Sequence, residues 1–395
     1  MTTNPTVEVQ QYGQSFWLDF IHRKSIVGGE MQQYIDDFGI LGVTSNPSIF
    51  QKAIGESDAY DEAIKLMLDL DANAIYEGLA VEDIRSALDL FRPIYDRTNG
   101  KDGYVSLEVS PLIASDTAQT LAEAKRLFKL VDRPNLMIKI PATEAGIPAI
   151  EDAIAAGINV NVTLIFAVQN YEAVARAYIR GLERRLAAGQ DVRGIASVAS
   201  FFVSRIDSLV DKLLEQNIKA ADGHDPARAA LNRELLGKAA IANAKLAYKS
   251  YQMLFEGEIF ARLREAGAQV QRPLWASTGT KNPNYPDTLY VDTLIGANTV
   301  NTLPPATLKA FKDHGVAAPT LADNMDEAQI TMDKLAEAGV NFDDVTQKLQ
   351  LEGVIAFVES FEQLIMQVNA KRDVLLAGVI QQQQLALGQY ADTAQ

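Results

Sequence analysis

The chain has 395 residues, 48% of them hydrophobic, which is enough for a large core in one big domain or two ordinary ones. Its 36 basic and 51 acidic residues give a formal net charge of −15, which argues against general nucleic-acid binding. With no cysteine and 3 scattered histidines, the chain offers no disulfide, no thiol nucleophile and no convincing histidine metal site or triad.

Short apolar or β-branched runs alternate along the chain with longer amphipathic segments, a pattern typical of buried parallel strands joined by helices. The predicted strands are Phe16–Phe20, Gly42–Asn46, Tyr104–Ser110, Leu136–Ala142, Asn159–Phe166, Ile195–Val203, Arg272–Gly279 and Thr288–Gly296. The clearest predicted helices between them are Asp116–Val131, Gly146–Ala156 and Gln169–Ala188. This alternation predicts an α/β fold, a (β/α)₈ TIM barrel. A doubly wound open sheet is the alternative, but no glycine-rich fingerprint follows an early strand.

Two connections between predicted strands are long, Pro47–Gly103 and Arg205–Gln271. Both are predicted to be helical insertions, because structureless connections of that length are unusual. After Gly296 the chain is predicted to be mainly helical, with amphipathic segments at Asp326–Ala338 and Asp343–Val368.

The simplest organisation is a single barrel domain spanning residues 1–395, of which about 297–395 form a helical C-terminal cap. Residues 1–14 lack the basic-then-apolar layout of a signal peptide, and no run of about 20 apolar residues would span a membrane. We therefore expect a cytoplasmic protein that binds neither membrane nor nucleic acid, as a monomer or small homo-oligomer.

Lys139 is the most informative residue, because it interrupts an otherwise apolar predicted strand, Leu136–Ala142. Burial disfavours the charged form of an ammonium group, and a desolvated lysine is a good nucleophile toward carbonyls. The structural explanation is a lysine whose stem lies along the apolar face while its head reaches water. For an isolated lysine, that explanation is the better one.

Polar side chains also fall at the carboxyl ends of the other predicted strands, where TIM barrels carry their active sites. These residues are Asp19, Thr44, Asn46, Glu108, Asn161, Thr163, Ser200, Arg205, Ser277 and Lys281. Each has an ordinary structural explanation: Asn46-Pro47 forms a common turn and Thr163 is a good strand residue. Buried polar groups need partners, so a closed barrel favours one joint site around Lys139.

A lysine beside two carboxylates, with neither metal ligands nor a cofactor fingerprint, is typical of Schiff-base carbon–carbon bond chemistry. The lysine forms an imine with a ketone, one carboxylate removes a hydroxyl proton to start retro-aldol cleavage, and the other moves protons around the imine. We expect asparagines to hold sugar hydroxyls and Arg205, Ser277 and Lys281 to form a phosphate site near the seventh strand. No cofactor is expected.

Several segments resemble the transaldolase family, in its longer-chain bacterial and plant-type branch. The segments that carry the resemblance are Thr44–Ser48, Val105–Val109, Leu136–Thr143, Gly157–Phe166, Ala199–Arg205 and Trp275–Pro283. Two of them, Leu136–Thr143 with its lysine and Gly157–Phe166, are highly specific together. At the seventh strand this chain has Ser277-Thr-Gly-Thr-Lys281, whereas shorter-chain transaldolases carry a close Ser-Phe-Arg.

The resemblance implies a class I aldolase-like barrel and a role for each candidate residue. Lys139 would be the Schiff-base nucleophile, and Asp19 the general base on the hydroxyl of the carbon being cleaved. Glu108 and Thr163 would position the water that shuttles protons. Residues implied to contact substrate hydroxyls are Asn46, Asn161 and Ser200, and those implied to bind the phosphate are Arg205, Ser277 and Lys281.

The implied reaction transfers a dihydroxyacetone unit from sedoheptulose 7-phosphate to glyceraldehyde 3-phosphate in the pentose phosphate pathway. It yields erythrose 4-phosphate and fructose 6-phosphate. The nearest rival activity is that of a Schiff-base aldolase on the same scaffold that releases free dihydroxyacetone; such relatives are shorter and carry a tyrosine where this chain has Phe202. A non-catalytic sugar-phosphate-binding barrel is a second possibility. A metal-dependent aldolase is a third, which the scattered histidines disfavour.

Overall fold

The computed structural model describes residues 4–393, with side chains as far as Leu387. Residues 1–3 and 394–395 lie outside this range. Residues 1–3 begin the segment that lacks a signal-peptide layout. Within the described residues, no helix is both long enough and apolar enough to cross a membrane.

Eight parallel strands close into a barrel in chain order, which confirms the predicted (β/α)₈ fold. The strands are β1 Gln14–Asp19, β2 Val43–Thr44, β3 Val105–Glu108, β4 Leu136–Pro141, β5 Val160–Ile165, β6 Ser197–Phe202, β7 Arg272–Ala276 and β8 Thr299–Leu303. Closure is made by β1 and β8, whose register runs from Gln14 opposite Thr299 to Leu18 opposite Leu303.

Helices surround the barrel and fill both long connections, as predicted. The helices are α1 Pro5–Glu8, α2 Arg23–Val27, α3 Glu30–Phe38, α4 Pro47–Gly55, α5 Asp61–Lys65, α6 Ala72–Arg97, α7 Thr117–Val131, α8 Gly146–Ala155, α9 Val168–Ala187, α10 Ser204–Ala221, α11 Pro226–Leu235, α12 Ala239–Tyr251, α13 Ala261–Glu265, α14 Leu289–Asp292, α15 Pro305–His314, α16 Met325–Glu337 and α17 Phe342–Thr393. The helix predicted from Asp116 begins there because the Asp116 side chain accepts a hydrogen bond from the Gln119 amide.

The prediction of the eighth strand at Thr288–Gly296 was wrong. Its apolar residues form the short helix α14 and the turn after it, and the true strand is Thr299–Leu303. This segment was missed because its sequence, Thr-Val-Asn-Thr-Leu, lacks an apolar run. Its polar side chains are nevertheless buried with partners: Thr278 Oγ1 donates to Asn301 Oδ1 at 2.8 Å. The last barrel strand therefore lies within the range 297–395 assigned to a helical cap, and α15–α17 follow it.

Inward-facing positions alternate along each strand, which places polar side chains in layers inside the barrel. The Asn161 amide on β5 donates to Ser106 Oγ on β3 at 3.0 Å, across the intervening β4. At the opposite, amino-terminal end of the strands, Arg272 of β7 donates to Ser15 Oγ of β1 and forms an ion pair with Asp102 at 2.9 Å. The candidate residues lie toward the carboxyl ends of the strands and in the segments that follow them.

The long C-terminal helix α17 lies across that carboxyl-terminal end and packs chiefly against α4. Its buried residues recur every three or four positions, as one face of a helix requires. They are Val345, Thr346, Leu349, Gly353, Phe357, Phe361, Leu364 and Val368. The predicted amphipathic segment Asp343–Val368 is confirmed, and the helix continues as far as Thr393.

Candidate active site

A cleft of about 1120 Å³ opens at the carboxyl ends of the strands. Nine of the eleven residues proposed for the site line it: Asp19, Thr44, Asn46, Lys139, Thr163, Ser200, Arg205, Ser277 and Lys281. The other two, Glu108 and Asn161, are buried directly behind this lining and contact members of it. The barrel therefore brings together side chains from seven strands and their following loops, as one joint site requires.

Lys139 lies within β4 with only 5% of its surface exposed, so the explanation in which its head reaches water does not hold. Its Nζ donates a hydrogen bond to the Ser45 carbonyl at 3.0 Å and lies 3.6 Å from Glu108 Oε2. On the third side, the Phe357 ring centroid is 5.7 Å from Nζ. This amine is held in place, dehydrated and open to the cleft, which suits a nucleophile toward carbonyls.

Glu108 is the register partner of Lys139 on the neighbouring strand β3. Burial raises the pKa of Glu108 to about 7, although the charge of Lys139 opposes the shift and that of Asp19 adds to it. Neither carboxylate oxygen makes a hydrogen bond within the described residues. A carboxyl group that titrates near neutrality and has free oxygens can both donate and accept a proton.

Asp19 ends β1 and is held by a short chain of hydroxyls. Thr44 Oγ1 donates to Asp19 Oδ1 at 2.7 Å and lies 2.6 Å from Thr302 Oγ1 on β8. Burial raises the pKa of Asp19, while the nearby Lys139 charge and the Thr44 hydrogen bond lower it. The carboxylate is thus oriented toward the cleft and bound through one oxygen, which leaves the other for a substrate hydroxyl.

Thr163 is buried on β5, and its hydroxyl has no hydrogen-bond partner in the part of the chain that the structure describes. The β5–β6 register shifts around this residue, between Val162 and Ile165, and the next residue, Leu164, adopts a φ of 59°. Such a backbone angle is rare for a bulky residue and signals a conformation held by its surroundings. Gln350 of α17 supplies one constraint, since its amide donates to the Leu164 carbonyl at 3.2 Å.

Ser200 and Asn161 form a buried pair on β6 and β5. Ser200 Oγ donates to Asn161 Oδ1 at 2.7 Å, and Ser200 also lines the cleft. Asn161 itself is fully buried. Asn46 lines the cleft from the start of α4, where its side-chain oxygen accepts the Ile49 amide at 3.0 Å. These polar groups offer hydrogen bonds to a hydroxylated ligand through Ser200 and Asn46.

One side of the cleft has the features of an anion site. Arg205 lies in the first turn of α10, an 18-residue helix whose free amides and dipole favour a negative charge. The Phe202 ring lies 5.4 Å from its guanidinium carbon. Ser204 Oγ and Ser277 Oγ are 3.0 Å apart, and Ser277 adopts a left-handed φ of 55°. Burial lowers the pKa of Arg205, yet a guanidinium stays charged at any physiological pH.

Lys281 lines the same side of the cleft from the loop after β7. Two tyrosines of the following segment tie it to α10: Tyr285 donates to Asp211 at 2.7 Å and Tyr290 to Asp207 at 2.8 Å. Because α10 also carries Arg205, these hydrogen bonds hold the two cations on one rigid frame.

Several residues of the cleft were not expected, among them Thr302, Lys52 and Phe357. Thr302 was missed because its strand was misplaced, and Lys52 of α4 resembles an ordinary surface lysine in the sequence. Phe357 comes from α17, far along the chain from the barrel strands. An apolar residue on the apolar face of a helix carries no sequence signal of a site, so only the fold reveals it.

A closed (β/α)₈ barrel with a buried lysine, two carboxyl groups near it and cations on one side of the cleft defines an enzyme of the class I, lysine-dependent aldolase type. A family model described as "Transaldolase/Fructose-6-phosphate aldolase" matches residues 16–368. The chain belongs to this family.

Curated relatives named as transaldolases match nearly the whole chain. "Transaldolase 2" of Nostoc punctiforme is 46% identical over 379 residues, covering 95% of this chain and 99% of the relative. "Transaldolase 2" of a Nostoc species is 47% identical over 382 residues, with the same coverage. "Transaldolase" of Saccharopolyspora erythraea is 48% identical over 378 residues, covering 94% of this chain and 99% of the relative.

Proposed function

We propose that this protein is a transaldolase that moves a dihydroxyacetone unit from sedoheptulose 7-phosphate to glyceraldehyde 3-phosphate. The products are erythrose 4-phosphate and fructose 6-phosphate, so the reaction belongs to the pentose phosphate pathway. The observation that carries the proposal is the buried Lys139, held between the Ser45 carbonyl and Glu108 at the wall of a cleft that has cations at its other side. The acidic, cysteine-free composition suits work in the cytoplasm.

The Lys139 amine adds to the donor ketone, and loss of water leaves an imine that acts as an electron sink. Among the described residues, the side-chain oxygens of Glu108 on β3 and Thr163 on β5 have no hydrogen-bond partner, which suits them to position a water and pass protons during these steps. With its pKa raised to about 7, Glu108 can hold or release a proton near neutral pH, which suits both proton donation and proton acceptance in these steps.

Asp19 is proposed as the base that removes the hydroxyl proton and starts cleavage of the carbon–carbon bond. Asp19 lines the cleft, and Thr44 holds one of its carboxylate oxygens. The electrons of the broken bond move to the imine nitrogen, the aldose phosphate departs, and an enamine stays on Lys139. Addition of the enamine carbon to the acceptor aldehyde reverses these steps and completes the transfer.

The remaining candidate residues are proposed to bind the rest of the sugar. Arg205, Ser277 and Lys281 would bind the terminal phosphate beside the N-terminus of α10. Asn46 and Ser200 would bind hydroxyls directly, with Asn161 engaging a hydroxyl or orienting Ser200.

The second candidate function is an aldolase that releases free dihydroxyacetone, since the family description covers both activities. Phe202 lines the cleft where such aldolases carry a tyrosine hydroxyl, and the length of the chain agrees with its transaldolase relatives. Transfer is therefore the better-supported activity.

A product assay separates the two functions. The enzyme is incubated with fructose 6-phosphate, with and without erythrose 4-phosphate, and the products are separated. We expect sedoheptulose 7-phosphate to form with the acceptor and little free dihydroxyacetone without it. Dihydroxyacetone released at the same rate in both reactions, with no seven-carbon product, would contradict the transaldolase proposal.

A further inference from the structure

The C-terminal helix α17 places an aromatic side chain next to Lys139. Phe357 is 5% exposed, its ring centroid lies 5.7 Å from Lys139 Nζ, and it lines the cleft beside Ser48 and Ile49 of α4. None of the polar residues proposed for catalysis comes from this helix. Its one contribution next to the amine is an aromatic ring.

Hydrogen bonds anchor α17 on both sides of this ring. Two turns before it, the Gln350 amide donates to the Ala142 carbonyl at 2.9 Å, directly beyond the end of β4. One turn after it, Ser360 Oγ is 2.7 Å from Ser48 Oγ, and further on Gln51 donates to Gln367 at 3.1 Å. The helix is thus fixed to the rim of the cleft both before and after Phe357.

Close packing against the end of β5 sets how near α17 lies to the barrel. A side chain at Gly353 would come within 2.9 Å of Leu164 Cδ2, so this position lets α17 approach the end of β5. Phe357 lies one turn further along the same buried face. The ring position over the amine follows from the docking of the helix, with no contribution from a flexible loop.

Access of water to the three-carbon intermediate on Lys139 affects how much of it is transferred to an acceptor and how much is released as dihydroxyacetone. Once the aldose phosphate has left, protonation of the enamine carbon gives the imine of dihydroxyacetone. Addition of water to that imine carbon and breakage of its carbon–nitrogen bond then free both dihydroxyacetone and the lysine amine. This path needs only a proton and a water molecule. Excluding water therefore lets the enamine persist until the acceptor aldehyde binds.

We propose that Phe357 is a specificity-determining residue that shields the three-carbon intermediate on Lys139 from water and thereby favours transfer over release. The inference rests on the proposed function, because it requires an enamine on Lys139. It assigns the C-terminal helix a role in the reaction in addition to packing.

The test compares Phe357→Leu and Phe357→Ala with matched changes at Phe361, one turn further along α17. Phe361 is also buried, but it packs edge-to-face on Tyr76 at 5.6 Å and does not line the cleft. Each variant is loaded with fructose 6-phosphate, freed of substrate, and quenched with borohydride at intervals. The three-carbon adduct on the Lys139 peptide is then followed by mass spectrometry.

We expect the intermediate to decay about tenfold faster in Phe357→Ala, and less so in Phe357→Leu, than in the wild type. The ratio of dihydroxyacetone released to sedoheptulose 7-phosphate formed should rise in parallel. Phe361→Leu and Phe361→Ala should keep the wild-type decay and ratio. If Phe357→Ala does not fold, the decay rate of the intermediate in Phe357→Leu tests the inference.

Wild-type decay in both Phe357 variants would overturn the inference. Equal acceleration in the Phe361 variants would also overturn it, because the cause would then be general loosening of α17. A wild-type enzyme that forms the intermediate but never transfers it would refute the transaldolase proposal instead, and the decay rates would still test the shielding.

Discussion

Glu108 and Lys139 lie opposite each other on adjacent parallel strands, with Glu108 Oε2 3.6 Å from Lys139 Nζ. The two groups are close enough for strong Coulomb attraction, yet burial still raises the pKa of the carboxyl to about 7. The desolvation of Glu108 thus outweighs its attraction to the lysine. A proton is therefore exchanged easily beside the amine, where imine formation needs it.

The raised pKa of Glu108 predicts a pH-dependent contribution to stability. Folding favours the protonated form, so this contribution is fully present below the unfolded value of about 4.5 and is lost as pH rises through about 7. From pH 5 to pH 8 the wild type should lose about 1–3 kcal/mol of unfolding free energy relative to Glu108→Gln. Denaturant unfolding of both proteins at the two pH values measures the difference. An equal difference at both would contradict a raised pKa.

Replacement of Lys139 by methionine should abolish turnover while the fold persists. Methionine matches the length of the buried stem, and without the lysine Glu108 can stay neutral. We expect activity to fall at least about a thousandfold and stability by about 1–3 kcal/mol, chiefly from the unpaired Ser45 carbonyl. Activity assays and thermal unfolding test this, with Lys249→Met on the exposed face of α12 as a matched control. Retained turnover, or loss of the fold, would count against the assigned role.

Replacement of Asp19 by asparagine should block cleavage but not imine formation. Asparagine keeps the hydrogen bond from Thr44 but is not a base, so turnover should fall by about 10²–10⁴. Borohydride trapping with fructose 6-phosphate should then give the intact six-carbon adduct on Lys139, where the wild type also gives the three-carbon one. Abundant three-carbon adduct in the variant would assign the base to another residue.

Arg205 and Lys281 should contribute to binding of phosphorylated donors and not of unphosphorylated ones. Arg205→Gln should raise KM for fructose 6-phosphate by about 10- to 100-fold, since a charge-assisted hydrogen bond contributes about 1.5–3 kcal/mol. Lys281→Met should raise KM by about 2- to 10-fold, because Lys281 is exposed and screened by solvent. Steady-state kinetics with fructose as unphosphorylated donor provide the control. Equal losses of kcat/KM for fructose and its phosphate would remove these residues from a phosphate site.

Much of the fold was predictable because most of the parallel strands contain short apolar or β-branched runs and the helices are bounded by clear signals. Strand β4 is apolar except for Lys139, and α7 starts at the Asp116 cap and ends at Asp132. Strand β8 was not predictable in this way. Its threonines have hydrogen-bond partners on β1 and β2, and Asn301 Oδ1 accepts from Thr278 in the loop after β7, which sequence pattern does not reveal.

The candidate site was predictable where a polar residue interrupts an apolar strand, as for Lys139 and Glu108. The sequence could not locate groups that reach the cleft from elsewhere. Phe357 comes from a helix more than 200 residues along the chain from Lys139, and its placement depends on the docking of α17 by Gln350 and Ser360. The bulge at Leu164 is likewise a tertiary feature, since its unusual backbone angle is held by neighbouring groups.

Lys139 is proposed to form the imine with the donor ketose. The most direct measurement is reduction by borohydride in the presence of fructose 6-phosphate, followed by peptide mapping. We predict one covalent adduct, on the peptide that contains Lys139, together with loss of activity in proportion to labelling. An adduct on any other lysine, or full inactivation without an adduct on Lys139, would contradict the account.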